Sequence, residues 1–264
     1  MTQILCVAGA RPNFMKIAPV MAALSDAGIT AQLLHTGQHY DAAMSDSFFA
    51  DLGIPPPDHH LEVGSGSHAV QTAEVMRRFE PVLDSVRPQA VLVVGDVNST
   101  IACALVAAKR GVRVIHVEAG LRSYDRSMPE EINRVLTDQI SDLLFTTEKS
   151  ALANLTREGI DPARVEFVGN VMIDTLYRNL ERAVPSAHTL GTALPQYAVL
   201  TLHRPSNVDD RETLAALLDV VGEINRRLPV VMPLHPRTRG NIEKFGFSAK
   251  LDGLHVLPPV GYLE

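Results

Sequence analysis

Short runs of aliphatic and β-branched residues alternate with longer amphipathic stretches along the chain, and that alternation admits very few folds. Strand patterns fall at residues 4–8, 31–35, 90–94, 112–117, 143–147 and 165–168. Helical patterns at 15–27, 68–86, 99–110, 131–141 and 149–158 separate them. Strands parted by helices form βαβ units with right-handed crossovers, so an α/β fold with a parallel sheet is expected. The strand runs are apolar throughout rather than alternating, as in a sheet with helices on both faces. A softer stretch, 182–197, contains Pro185, Ser186, Gly191 and Pro195 and reads as an interdomain linker. The pattern then restarts, with strands expected at 198–202, 230–234 and 254–257 and a helix at 212–227. The expected organisation is a first lobe over 1–181, a linker over 182–197 and a second lobe over 198–264. A doubly wound lobe takes on the order of 100–150 residues, so the second lobe reads as incomplete.

Composition narrows the function classes. Apolar residues make up 46% of the 264 and charged residues 20%, which suits a soluble chain with a substantial core. Tryptophan is absent and aromatics are 5%, so the packing is expected to be aliphatic. No apolar run approaches the roughly 20 residues of a membrane span, and the N-terminus has no positively charged leader pattern. Cys6 and Cys103 lie in apolar runs and read as buried free thiols, which fits a reducing, cytoplasmic compartment. The net charge of -6 argues against nucleic acid as a partner, since phosphate backbones reward basic surfaces.

In an open parallel sheet, ligands bind beyond the carboxyl ends of the strands, so the residues there are the candidates for chemistry. After the first strand stand Gly9, Arg11 and Lys16. A glycine turn into a helix N-terminus favours an anion, and two cations add to it; both are equally readable as surface charges. The stretch is not a G-x-G-x-x-G fingerprint, so no dinucleotide cofactor is expected. Thr36-Gly37-Gln38 follows the second strand as a polar turn. Gly95-Asp96 follows the third, with Asn98 or Ser99 expected to cap the next helix. Glu118 ends the fourth, where a carboxylate demands a partner or a catalytic task, while His116 within that strand reads as a satisfied core histidine. Ser127 and Glu130 have the spacing of a capping box ahead of a helix that begins near Pro129. In the second lobe, His203-Arg204 and His235 follow successive strands. With the two lobes' strand ends face to face, His203 would stand opposite Asp96 and Glu118, an arrangement suited to a sugar diphosphate. No histidines and acidic residues share a metal-ligand spacing, so no metal is expected.

Taken in order, Gly9-Ala10-Arg11-Pro12 with Lys16, Gly95-Asp96, His116-Val117-Glu118-Ala119-Gly120-Leu121-Arg122, Pro129-Glu130-Glu131 with Asn133-Arg134, Gly169-Asn170 with Asp174, and His203-Arg204 make a specific series. In it the chain resembles the non-hydrolysing UDP-N-acetylglucosamine 2-epimerases from the first strand to the last residue. The resemblance implies two Rossmann-like lobes of the GT-B type around a substrate cleft. It implies interconversion of UDP-N-acetylglucosamine and UDP-N-acetylmannosamine by elimination and re-addition of UDP, without redox cofactor or metal, in a protein that is homodimeric at full length. It implies catalytic roles for Asp96, Glu118, Glu130 and His203, and substrate binding by Arg11, Lys16, Arg122, Arg204 and His235. The capping assignment of Glu130 gives way to a catalytic one on this basis. Gln38 matches a regulatory position of activated members, although Asp41 stands where a second glutamine would be. Ala10, Asn13 and Ser206 also depart from common family residues, and the later T-D-S-G-G and T-E-R-P blocks that grip the nucleotide are not in the sequence. The expectation is therefore an epimerase with impaired turnover in this form. A glycosyltransferase on the same scaffold, or a sugar-nucleotide-binding remnant without catalysis, are the alternatives.

Overall fold

Parallel pairing begins with the first strand. Residues 3–37, 49 and 51–264 are described by a computed structural model. In chain order the first elements are β1 (Ile4–Ala8), α1 (Arg11–Asp26), β2 (Ala31–His35), β3 (His59–His60), α2 (His68–Val86), β4 (Ala90–Val94) and α3 (Asn98–Lys109). They continue with β5 (Arg113–Ala119), α4 (Pro129–Ile140), β6 (Leu143–Thr146), α5 (Lys149–Arg157), β7 (Val165–Phe167) and α6 (Val171–Asn179). Among the described residues these strands form one sheet in the order β3-β2-β1-β4-β5-β6-β7, every pair parallel. The order reverses between β1 and β4, and at such a switch point a crevice opens beyond the strand ends.

The sheet is held by the apolar strands the sequence shows. Leu5, Val7, Val91, Val93 and Val114 pack against Val75, Phe79 and Leu83 of α2 and Ala102, Cys103, Ala104, Val106 and Ala107 of α3. Cys6 and Cys103 are buried and free, and burial pushes the Cys6 thiol up to about 12. The helix starts differ from expectation. α1 begins at Arg11, ahead of the expected residue 15, because Asn13 Oδ1 accepts from the Gly9 and Ala10 amides at 3.0 and 2.9 Å. The position before α3 is Val97, which has no side-chain cap; Asn98 and Ser99 instead turn to Gln71 and Thr36.

Gly120 makes the turn after β5 at φ 79°, and a Cβ there would lie 2.8 Å from Ala151 Cβ and 3.0 Å from Ala151 O. Left-handed backbone and overpacking each cost an L-residue energy, so Gly120→Ala is expected to lower stability by about 3 kcal/mol. The midpoint of urea unfolding checks this, and an unchanged midpoint would show that α5 yields freely.

The chain divides into two units, Met1–Glu181 and Arg182–Glu264. The second contains α7 (Ser186–Leu190), β8 (Ala198–Val199), α8 (Pro205–Val208), α9 (Arg211–Asn225), β9 (Val230–Pro233), α10 (Pro236–Phe245) and β10 (His255–Leu257). Its described strands pair in parallel in the order β10-β9-β8. Asp210 Oδ1 caps α9 by accepting from the Thr213 amide at 2.8 Å. Leu214 and Leu218 of that helix close a core with Met232, Leu234 and Ile242.

Candidate functional site

The carboxyl ends of β1, β4 and β5 bring together residues far apart in sequence. Asn13 joins the first two ends: besides accepting from Gly9 and Ala10, it donates to the Val94 carbonyl at 3.2 Å. Lys16, one turn along α1, reaches across to Glu118, Nζ to Oε1 2.7 Å, with side chains 9% and 15% exposed. Its ammonium passes so close to Gly95 that a Cβ there would sit 3.0 Å from Nζ. Gly95 also takes φ 68°, so this turn needs glycine for its conformation and for its neighbour.

Glu118 sits at φ 73°, an unusual conformation for an L-residue with a long side chain. The β5–β6 register shifts between Val117 and Ala119, so Glu118 is the bulged residue. A bulge re-aims a side chain at a strand end, and strain of this kind concentrates at functional sites.

Asp96 follows Gly95 and faces α4. Arg134 donates to its Oδ2 from Nε at 2.9 Å and Nη2 at 2.7 Å, and Asn133 Nδ2 donates to its backbone carbonyl at 2.9 Å. Arg134 is itself held by Glu131, Nη1 to Oε2 2.8 Å. Burial acts to raise the Glu131 carboxyl, but the Ser123 and Tyr124 amides and Arg134 outweigh it and hold the group below the usual carboxylate range. Glu130 lies one turn before Arg134 on the same helix face. It is half-buried and makes no side-chain hydrogen bond among the described residues. The capping box expected with Ser127 is not formed: Met128 precedes α4, and Ser127 Oγ donates to Asp125 at 2.6 Å. Glu130 is thus a carboxylate without a structural task in the capping.

Other expected residues are placed differently. Arg122, expected to bind substrate, is turned inward with a side chain 1% exposed. It meets Asp138 at 2.7 Å and Glu158 at 2.6 and 2.8 Å, so the partners the structure gives this guanidinium are carboxylates of its own chain. His116 is fully buried between Asp138 and the Gly95 carbonyl, a satisfied core histidine as expected. Arg11 opens α1, half-buried. In the second unit, the His203 and His235 rings stand 5.7 Å apart. His235 Nδ1 also accepts from the Arg237 amide at 3.2 Å, capping α10, while Arg204 is exposed ahead of α8. Gln38 lies outside the described residues. Arg134, Glu131 and Asn133 were not among the expected binding or catalytic residues, although all three stand in the P-E-E-x-N-R block that signals the region.

Among the described residues, no group of three or more His, Cys, Asp or Glu is placed to hold a metal ion, and no helix is long and apolar enough to cross a membrane. What the site offers is a set of carboxylates spaced by cations, at the end of a doubly wound sheet.

The sequence profile described as UDP-N-acetylglucosamine 2-epimerase matches residues 22–264. A protein of Methanococcus maripaludis named a UDP-N-acetylglucosamine 2-epimerase homolog is 43% identical over 99% of this chain and 74% of its own length. One of Pseudomonas aeruginosa, named a UDP-2,3-diacetamido-2,3-dideoxy-D-glucuronate 2-epimerase, is 44% identical over the same shares. The crystal structure of the Methanocaldococcus jannaschii UDP-GlcNAc 2-epimerase with UDP-GlcNAc and UDP superposes with a TM-score of 0.89 at 39% identity, covering 99% of this chain and 75% of that one.

Proposed function

The chain belongs to the UDP-N-acetylglucosamine 2-epimerase family, and from that premise we propose that it interconverts UDP-N-acetylglucosamine and UDP-N-acetylmannosamine by inverting C2. The observation that supports this most directly is the strand-end cluster, in which Glu118 is bulged out beside Lys16 and Asp96 is gripped by Arg134.

The chemistry asks for such a cluster. The C2 hydrogen is not next to a carbonyl and is poorly acidic, so the C1–O bond to the diphosphate must break as the proton leaves. A carboxylate takes the C2 proton, the electron pair forms the C1–C2 double bond, and UDP departs with the C1–O pair. Re-addition of UDP at C1 then delivers a proton to the other face of C2. Two faces need more than one proton-transfer group, and we propose Asp96, Glu118 and Glu130 as the carboxylates that supply them. In the first unit, Arg11 at the first helical position of α1 supplies positive charge for a diphosphate; His203, Arg204 and His235 are the candidate binding groups of the second unit. Lys16 orients Glu118 and adds to that field. A homodimer in the cytoplasm is part of the same reading.

The relative from Pseudomonas aeruginosa supports a second substrate with the same reaction at C2, a UDP-2,3-diacetamido uronate. Proton NMR in deuterated water separates the readings. With UDP-N-acetylglucosamine the expected result is a mannosamine-configured product carrying deuterium at C2. Absence of both product and exchange with that substrate, but turnover of the diacetamido uronate, would move the assignment to the second. Turnover that requires an added sugar acceptor would overturn both.

A further inference from the structure

Asp138, in the last turn of α4, takes part in no step of that reaction yet is linked to both turns that hold its acids, to one directly and to the other through His116. It is fully buried. Its Oδ2 accepts from the Gly120 amide at 3.0 Å and from Arg122 at 2.7 Å. Its Oδ1 meets His116 Nδ1 at 2.6 Å, and His116 Nε2 reaches the Gly95 carbonyl at 2.8 Å. A carbonyl only accepts, so Nε2 carries a hydrogen. One arm of this relay ends on the residue before Asp96, and the other on the amide two residues after Glu118.

Regular pairing gives out at both places. The β4–β5 register ends at Val94 and Val117, the β5–β6 register shifts at Glu118, and Gly95 turns away at φ 68°. The Gly95 amide still donates to the Val117 carbonyl at 3.0 Å, so the strands fix where the first turn starts and leave the Gly95 carbonyl and the chain beyond Glu118 to other contacts. Burying His116, Asp138 and Arg122 together is costly, and an apolar cluster of similar volume would stabilise the core as well or better. Charge here is better explained by direction than by stability, since hydrogen bonds fix atoms where apolar contacts only fill space.

We propose that Asp138 and His116 are positioning residues, a buried relay that sets where the Asp96 and Glu118 carboxylates stand relative to one another. The inference rests on the function proposed above. Two groups working on opposite faces of one carbon lose rate steeply when either is displaced by about 1 Å, on the order of 100-fold.

Two substitutions at His116 separate positioning from bulk stability. A glutamine amide takes the place of Nε2 and keeps the bond to Gly95 while giving up Asp138, which still holds Gly120. An asparagine amide takes the place of Nδ1, keeps Asp138 and severs the bond to Gly95. The pair thus asks whether the bond at the Gly95 turn is what places Asp96. With the wild-type protein epimerising, H116N is expected to lower kcat about tenfold or more while KM stays within about threefold. H116Q should retain kcat within about threefold, although its melting temperature falls at least as far. The Thr137→Val control, next to Asp138 and equally buried, should leave both constants unchanged. Equal kcat in H116N and H116Q, or kcat that follows melting temperature across the set, overturns the relay. Should either histidine variant fail to fold, D138N replaces it, with a fall in kcat at constant KM expected and an unaltered kcat overturning the idea. A wild-type protein that gives no epimer or C2 exchange instead overturns the proposed function.

Discussion

Glutamine in place of Glu118 should lower kcat for epimerisation about 10³-fold and leave the fold intact. The side chains are nearly the same shape, so the bulge in β5 and the φ of 73° are retained. The amide oxygen of the substituted side chain can still accept from Lys16, whose ammonium lies 2.7 Å from the carboxylate in the wild type. What is lost is the ability to take a proton from carbon. KM should therefore change little, and C2 deuterium exchange should fall with kcat, since both pass through the same proton transfer. An E118Q protein that keeps more than about a tenth of the wild-type kcat would remove Glu118 from the proton-transfer set.

Lys16→Met acts on the same pair from the other side, with a second large effect expected on stability. Methionine keeps the apolar stem and removes the ammonium, which leaves Glu118 as a carboxylate 15% exposed with its partner gone. Breaking a buried pair by deleting one member costs about 3 kcal/mol, because the remaining charge stays desolvated. Adding E118Q to K16M should recover more than half of that loss, since a neutral amide tolerates the site far better. Urea unfolding of the two single variants and the double variant gives the coupling directly. If K16M is as stable as wild type, water reaches Glu118 well enough to replace its partner.

The layout of the sheet was largely legible because β1 and β4 have no polar residues to obscure the pattern. The spans expected for β1, β2, β4 and α2 coincide with those observed. α6 and α10 escaped notice for different reasons. Ile173, Leu176 and Tyr177 of α6 are more than half exposed, so its apolar pattern does not mark a buried face. α10 opens on Pro236 and carries charge and Gly240 along its length. At the site, strand-end position located Lys16, Asp96 and Glu118, because topology decides which residues reach the crevice. It could not say which way a side chain turns. Arg122 follows the same strand as Glu118 and points into the core, and the Asp96–Arg134 pair spans 38 positions that no local pattern connects. Asn13 shows the same limit. It departs from the common family residue, and its amide donates to the Val94 carbonyl, which a carboxylate could not do.

The long reach of these contacts has a consequence for how the protein is made. Lys16 and Glu118 are 102 residues apart, and Asn13 and Val94 are 81 apart. Closing loops of that length carries an entropic cost that is recovered only when β1, β4 and β5 lie side by side, and such non-local pairing is slow. A ribosome-bound chain that has yet to release β5 has no bulge, no ion pair and nowhere to put the Lys16 ammonium but water. The reactive cluster is thus among the last features of the first unit to form, and nascent chains short of that point are expected to be inert toward the sugar nucleotide.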